Sequence, residues 1–137
     1  MAQLQGTYHI LVAEDNAGFL NRILLAIRRV AEVNKNAVFE IKIFPAEISL
    51  SEKLPFTPDV VFISSFYVSD DAFFQAIVSQ CNCSFVLCVN SRNEQDHREF
   101  SKKLKERSIR LSHHILTENY PDSLLYILVN DILSGLE

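Results

Sequence analysis

Two adjacent carboxylates are the first residues of this sequence whose position suggests chemistry. Glu14 and Asp15 follow directly on four apolar residues, Ile10 to Ala13, a run typical of a strand that is buried on both faces. In an open α/β sheet, ligands bind in the crevice beyond the carboxyl ends of the strands, so this pair stands at a candidate site. Residues 15–18, DNAG, form no glycine-rich or Ser/Thr-rich phosphate cradle and would repel a phosphate unless a metal intervened.

Polar residues also follow two further apolar runs. Residues 59–64 end in Ser64, and residues 84–89 run into Asn90. The sequence contains no Ser/His/Asp order with a nucleophile elbow, which argues against a hydrolase. Enzymatic or cofactor-dependent chemistry on this chain is therefore the weaker alternative, and we expect a binding module without a cofactor.

The cysteines are odd in number and lie close together. Cys81, Cys83 and Cys88 include one C-x-C pair, whereas metal sites built on cysteine usually need C-x-x-C pairs with further Cys or His at set distances. We therefore expect reduced thiols of a cytoplasmic protein and no metal bound by them.

The elements that position these residues alternate along the chain. Continuous or alternating apolar runs predict five strands, of which the second has one wetter face and is expected at the sheet edge: 8–13, 39–43, 59–64, 84–89 and 113–117. Helical periodicity predicts helices over 17–33, 70–81, 92–108 and 123–136, and over 47–57 a short helix or a turn-rich segment. Five strands alternating with five helices predict a doubly wound α/β fold with helices on both faces of a parallel sheet.

Length and charge narrow the classes of partner. The chain has 137 residues and a formal net charge of −4, which suits one domain over 1–137 and gives no electrostatic reason to bind nucleic acid or an anionic membrane. The first residues carry neither a basic start nor an apolar segment, and no apolar stretch is long enough to span a bilayer. We expect a cytoplasmic protein with a protein partner.

Four features at family-specific spacing resemble the receiver domain of bacterial response regulators. They are the pair at 14 and 15, Pro58-Asp59 before the third strand, Asp71 after it, and the Pro121-Asp122 turn. The resemblance covers almost the whole chain. It implies a flavodoxin-like, CheY-like five-stranded sheet of order 2-1-3-4-5.

The resemblance also implies a phosphorylation site, most of which this sequence lacks. Receivers carry a phosphoryl-accepting Asp at the end of strand three, and Ser64 stands in its place. A serine hydroxyl is a poor nucleophile unless a base activates it. The family's Mg²⁺ would need two or three carboxylates, of which only Glu14 and Asp15 remain, so we expect no bound metal.

Two further family positions are substituted as well. The hydroxyl that ends strand four in receivers falls on Val89, or on Asn90 if the register slips by one residue. The lysine that ends strand five falls on Thr117, or on Glu118 after the same slip, and neither is cationic. In receivers these groups stabilise the transferred phosphoryl group, so three of the four functional parts are missing here.

The surface that receivers use for signalling gives the remaining candidates. The family's aromatic switch position aligns with His114, for which the alternative is a partly buried histidine bonded to backbone. The apolar face of the last helix is wider than covering a sheet requires, and the excess is chiefly Val129, Leu133 and Leu136. These residues are expected to contact another helix, a partner or a second copy of the chain in a homodimer; the alternative is that they fold back on the first helix.

The basic side of the fourth helix leaves two interpretations open. The first is a solvated face balanced by Glu99 and Glu106, and the second is a docking patch for an acidic partner. Taken together, these features predict a phosphorylation-independent pseudo-receiver that binds another protein and is not an enzyme. The alternative is an atypical receiver that is modified at Ser64 or binds a small ligand or metal between Glu14 and Asp15.

Overall fold

The chain folds around a single parallel sheet of five strands. The structure, a computed structural model, describes residues 4–68, 70–89, 94–107 and 109–136, without the side chains of residues 94–97 and 113. Its strands are β1 (Gly6–Ala13), β2 (Ala37–Phe44), β3 (Val60–Ser64), β4 (Ser84–Val89) and β5 (Arg110–Thr117). They pair in the order β2-β1-β3-β4-β5, all in parallel, so the predicted fold class and strand order are confirmed.

Four α-helices lie within the described residues. They are α1 (Ala17–Val33), α2 (Asp71–Ala76), α3 (Glu94–Glu106) and α4 (Asp122–Ser134). Short 3₁₀ turns follow β3 at Ser65–Tyr67 and α2 at Val78–Gln80. None of the described helices has both the length and the apolar composition needed to cross a membrane.

Helices cover both faces of the sheet because alternate strand residues point to opposite sides. Ile10 and Val12 pack with side chains of α1 and α4 in one core cluster. Leu11 and Ala13 pack with side chains of α2 and α3 in the other. Both faces of β1 are therefore buried, which explains why its apolar run is continuous, as predicted for a doubly wound sheet.

The expectation of five helices is wrong by one. Residues 47–57 form turns and bends, the second of the two interpretations offered for this segment. Within it only Ile48 and Leu54 are buried, and a separation of six residues does not place two side chains on one helical face. The backbone N–H of Leu54 instead donates to the side chain of Gln80 at 2.9 Å.

Two other predicted boundaries differ from the structure by three residues or more. The helix predicted over 70–81 is an α-helix only from Asp71 to Ala76. Strand β5 begins at Arg110, before the predicted residue 113, and its register against β4 shifts between Phe85 and Leu87. Such a bulge interrupts the period-2 pattern by which a strand is recognised in a sequence.

Candidate functional site

Side chains from four strand ends meet at the carboxyl edge of the sheet. Glu14 and Asp15 follow β1, and Ser64 ends β3. Val89 ends β4 and lies opposite Thr117, the last residue of β5. The edge at which a doubly wound sheet binds ligands therefore carries the residues that the sequence singled out. Asn90 lies outside the described residues.

Glu14 is a buried carboxyl group with one unsatisfied oxygen. The residue is 2 % exposed, and its Oε2 accepts the backbone N–H of Asn16 at 3.0 Å. Its Oε1 is buried and has no hydrogen-bond partner among the described residues. Burial, reinforced by the neighbouring Asp15, raises the pKa of Glu14 from 4.5 to about 7. Near neutral pH, this group therefore exists in both its neutral and its charged form.

Ser64 is committed to hydrogen bonds on both sides. Its Oγ donates to Asp15 Oδ1 at 2.7 Å and accepts the backbone N–H of Phe66 at 3.2 Å, which caps the 3₁₀ turn after β3. The residue is fully buried. The hydroxyl thus closes β3 and orients Asp15, and a phosphate on it would have to open this buried position.

The other two substituted positions are buried as well. Val89 presents only an apolar side chain at the end of β4. Thr117 is 4 % exposed, and its Oγ1 accepts the backbone N–H of Asn119 at 3.3 Å. The Thr117 hydroxyl therefore serves the turn that follows β5.

The mouth of the site is acidic. Asn16 caps α1 by accepting the backbone N–H of Phe19 at 2.9 Å, and its Nδ2 donates to Glu118 Oε2 at 3.4 Å. Tyr67 is buried beside the same edge, where burial and the negative charges of Asp15, Glu14 and Asp70 raise its pKa. An anionic ligand is disfavoured by this surrounding.

Arg22 of α1 holds the loop that follows β5. Its Nη1 donates to the carbonyl oxygen of Glu118 at 2.6 Å, and its Nη2 donates to that of Tyr120. Its Nε pairs with Asp122 Oδ1 at 2.8 Å, at the start of α4. We refer to these three interactions as the Arg22 clamp. The guanidinium is thereby directed to the loop backbone.

The donor set does not fit the Mg²⁺ that the family resemblance implies. A third carboxylate is missing where Ser64 stands, and Asp15 Oδ1 already accepts the Ser64 hydroxyl. No group of three or more His, Cys, Asp or Glu side chains in the described ranges is arranged to hold a metal ion. Mg²⁺ demands near-octahedral oxygen ligation, which these side chains do not supply.

The last helix uses its apolar excess within the chain. Val129 and Leu133 are both 0 % exposed and pack in the core cluster that α1 shares. Leu136 is half-buried against the same cluster. Of the two interpretations of these residues, folding back on the first helix is the one that the burial of Val129 and Leu133 favours, because α1 fills the space beside α4. The exposed large apolar residue of α4 is Ile127.

His114 lies away from the acidic edge. It is half-buried and lines a cavity of about 350 Å³ between β5 and the end of α4, together with Asp131 and Ile132. Its backbone N–H donates to Ser112 Oγ at 3.2 Å, within the irregular part of β5. Its role as a switch residue stays a prediction.

Four residues that sequence reasoning did not place belong to this site. Asn16 carries a recognisable signal, because an Asn directly before an apolar-periodic segment is a typical N-cap. The sequence suggests Glu118 only as the alternative to Thr117 at the family's lysine position, if the register slips by one residue. Tyr67 and Arg22 gave no signal, since their contacts with the site depend on the tertiary fold.

Comparison with known proteins identifies the fold. No model of a known protein family matches the chain, and no curated protein matches its sequence. A response regulator CheY-like protein from Mesorhizobium loti superposes with a TM-score of 0.60 at 8 % identity, over 96 % of this chain and 99 % of that one.

Two further solved structures are similar. The pilus assembly protein CpaE from Caulobacter crescentus gives a TM-score of 0.54 at 14 % identity, over 90 % of this chain and 98 % of its own. The BeF3-activated DrrB receiver domain gives 0.53 at 12 % identity, over 93 % and 98 %. The chain therefore has the CheY-like receiver fold.

Proposed function

We propose that the chain is a pseudo-receiver, a signalling module that binds another protein without being phosphorylated. The observation that supports this most directly is the Ser64 hydroxyl, which is buried and donates to Asp15 at 2.7 Å. A phosphoacceptor needs a free nucleophilic oxygen with cations around it. Here the oxygen is a capping group, and Thr117 and Glu118 replace the cation.

The same geometry bears on the alternatives. Modification of Ser64 by a kinase would require the end of β3 to open, because the residue is fully buried. One observation favours a small ligand instead: Glu14 Oε1 is buried, has no hydrogen-bond partner within the part of the chain that the structure describes, and would accept a hydrogen bond or bind a cation. One structural neighbour is described as a pilus assembly protein and not as a response regulator, so the fold is not restricted to response regulators.

We expect a small-molecule phosphodonor with Mg²⁺ to leave the intact mass of the protein unchanged. Acetyl phosphate is a suitable probe because it needs no kinase partner. The Ser64→Asp variant is also expected to remain unlabelled, since Thr117 supplies no positive charge for the transferred group. Native mass spectrometry reads out both proteins. A stable phosphoryl adduct on the wild-type chain would overturn the proposal, and an adduct on the variant alone would refute the argument about the missing cation.

The groove between α3 and β5 is the interaction surface that we assign to this function. It has a volume of about 520 Å³ and is lined by Arg98, Lys102, Lys105, Glu106, Ser101 and Ile115. Three cations against one carboxylate, above an apolar floor, complement an acidic protein segment that carries an apolar side chain. The fourth predicted helix, over residues 92–108, is α3 in the structure. Of the two interpretations offered for its basic side, this lining favours docking of an acidic partner.

A homodimer is the other partner that the sequence suggested for this chain. With Val129 and Leu133 in the core, it would have to form through other residues of α4, such as Ile127. The proposal therefore commits to a different, acidic protein. The homodimer would be favoured instead if the wild-type chain ran as a dimer in gel filtration and the Ile127→Glu variant ran as a monomer.

Charge reversal in the groove is expected to remove the partner. The wild-type chain is used to capture its partner from an extract of its source organism. A Lys102→Glu/Lys105→Glu double variant should capture about tenfold less of that protein, or even less, because like charges across an interface repel. The matched control is Arg28→Glu/Lys35→Glu, which makes the same charge change at two exposed positions away from the groove, one in α1 and one just after it. Equal loss with both variants would show a general charge effect and contradict the assigned groove.

A further inference from the structure

A further cavity lies at the opposite edge of the sheet from the acidic site. It has a volume of about 410 Å³, and its lining includes Phe74, Cys81, Cys83, Arg107 and Arg110. Cys83 directly precedes β4 and Arg110 opens β5, so the cavity faces the amino ends of these strands. The proposed interaction function uses none of these side chains. Two thiols and two guanidinium groups thus share an accessible space that has no assigned role.

The two thiols are close enough to act on each other. Cys81 follows the 3₁₀ turn after α2 and has extended backbone, with φ −110° and ψ 123°. Cys83 follows it after one residue and lines the same cavity, and a side-chain hydrogen bond joins the two thiols. Both side chains are half-buried and neither is in a disulfide, whereas Cys88 is fully buried. Cys88 therefore provides an internal reference thiol.

The two thiols differ chemically. The Cys83 thiol donates a hydrogen bond to the Cys81 sulfur, which lowers the pKa of Cys81. The same bond, together with burial and the charge of Asp59, raises the pKa of Cys83, and Arg110 opposes that rise. In its neutral form, Cys81 also donates to the carbonyl oxygen of Ile77 at 3.4 Å. Cys81 is therefore the thiol that ionises first, and a thiolate is the reactive form of cysteine.

The guanidinium groups add positive charge to the cavity. Arg107 lies over the Phe74 ring, with Cζ at 4.2 Å from the ring centroid, and pairs with Asp71. Arg110 is exposed and acts electrostatically on Cys83. Arg110 thus favours the ionised form of Cys83, the thiol that loses its proton when a disulfide forms, and partial exposure lets peroxide reach both thiols.

We propose that Cys81 and Cys83 form a peroxide-sensitive thiol pair in this cavity, with Cys81 as the attacking thiolate and Cys83 as the resolving thiol. The Cys81 thiolate attacks one oxygen of hydrogen peroxide, the O–O bond breaks, and hydroxide leaves as Cys81 becomes a sulfenic acid. The Cys83 sulfur then attacks the Cys81 sulfur and loses its proton, and the sulfenic oxygen leaves as water. The two cysteines are oxidised by two electrons in total, and the peroxide is reduced to water.

The experiment treats the full-length reduced chain with hydrogen peroxide and measures intact mass and a peptide map. We expect the loss of two hydrogens, a disulfide joining Cys81 to Cys83, and recovery of the original mass with dithiothreitol. After denaturation without reductant, one thiol, that of Cys88, should still be alkylated. The wild-type chain alone is thus sufficient for the test, even if a cysteine variant fails to fold.

Two variants assign the roles. In Cys83→Ser the sulfenic acid at Cys81 has no resolving thiol, so dimedone should trap it. In Cys81→Ser, dimedone labelling should be about tenfold slower or more, because the remaining thiols are less ionised. Equal labelling of the two variants, or a wild-type product consisting only of disulfides between chains, would overturn the proposal.

Discussion

Replacing Glu14 with glutamine is expected to stabilise the folded protein by about 3 kcal/mol at pH 8.5. The pKa of this carboxyl group is about 7 in the folded chain against 4.5 as a reference. Glutamine cannot ionise, yet its Oε1 can still accept the Asn16 backbone N–H that Glu14 accepts. The variant therefore keeps the local hydrogen bond and removes the cost of a buried charge.

The pH dependence gives the sign of this effect. Below pH 4.5 Glu14 is protonated in both states and does not affect stability. As the pH rises from about 4.5 to about 7, the unfolded chain loses this proton while the folded chain keeps it, so the wild-type protein becomes less stable. Above about 7 the full penalty is present. The free energy of unfolding from urea titrations at pH 5, 7 and 8.5 measures the difference between the two proteins.

Glu99→Gln is the matched control for this experiment. It removes the same charge from an exposed position of α3, where substitutions usually change stability by less than about 0.5 kcal/mol. A Glu14→Gln variant that is less stable than the wild type at pH 8.5 would show that the ionised carboxylate has a partner. If the wild type were the more stable of the two proteins only when Mg²⁺ is present, the metal-binding alternative would be favoured.

The residues of this site could be collected from the sequence, but their chemistry could not. Parallel strands end at the same edge, so the apolar runs that stop at Glu14, Ser64 and Thr117 predict their proximity. Whether Glu14 points inward and Ser64 donates to Asp15 depends on side-chain direction, which periodicity does not specify. The raised pKa of Glu14 and the capping role of Ser64 emerge only from the folded chain.

Truncating Leu133 to alanine is expected to destabilise the fold by about 3 kcal/mol and to leave the oligomeric state unchanged. The side chain is 0 % exposed and packs in the cluster formed with α1. Its loss leaves a cavity that the surrounding helices fill only partly. Urea denaturation measures the change in stability, and light scattering measures the mass of the particle in solution.

Ile127→Ala on the same helix is the control. Ile127 is 53 % exposed, so its truncation should change the free energy of unfolding by about 0.5 kcal/mol or less. The two variants remove apolar groups of the same size, one from the buried part and one from the exposed part of the α4 surface. If Leu133→Ala kept its stability but dissociated an oligomer, the packing of α4 on α1 would be contradicted and the interpretation of these residues as an interface would be favoured.

The sequence could not decide between the two interpretations of the last helix, and the reason is physical. A helix that packs only on a sheet needs a narrower apolar face than one that also contacts a neighbouring helix. The width of the apolar face on α4 indicated an additional contact but not its source. Sequence separation hid the answer, because α1 lies about a hundred residues earlier in the chain. The resemblance to receiver domains implied the strand order, whereas the choice of α1 as the neighbour of α4 required the structure.

The Arg22 clamp links α1 to the connection between β5 and α4, so these two parts of the chain are expected to move together. One guanidinium contacts the backbone at Glu118 and Tyr120 and the side chain of Asp122. A displacement of the β5–α4 connection that left α1 in place would break all three interactions at once. Any signal that reaches this connection must therefore either break the clamp or shift α1 as well, and a shift of α1 would carry the change to the far side of the molecule.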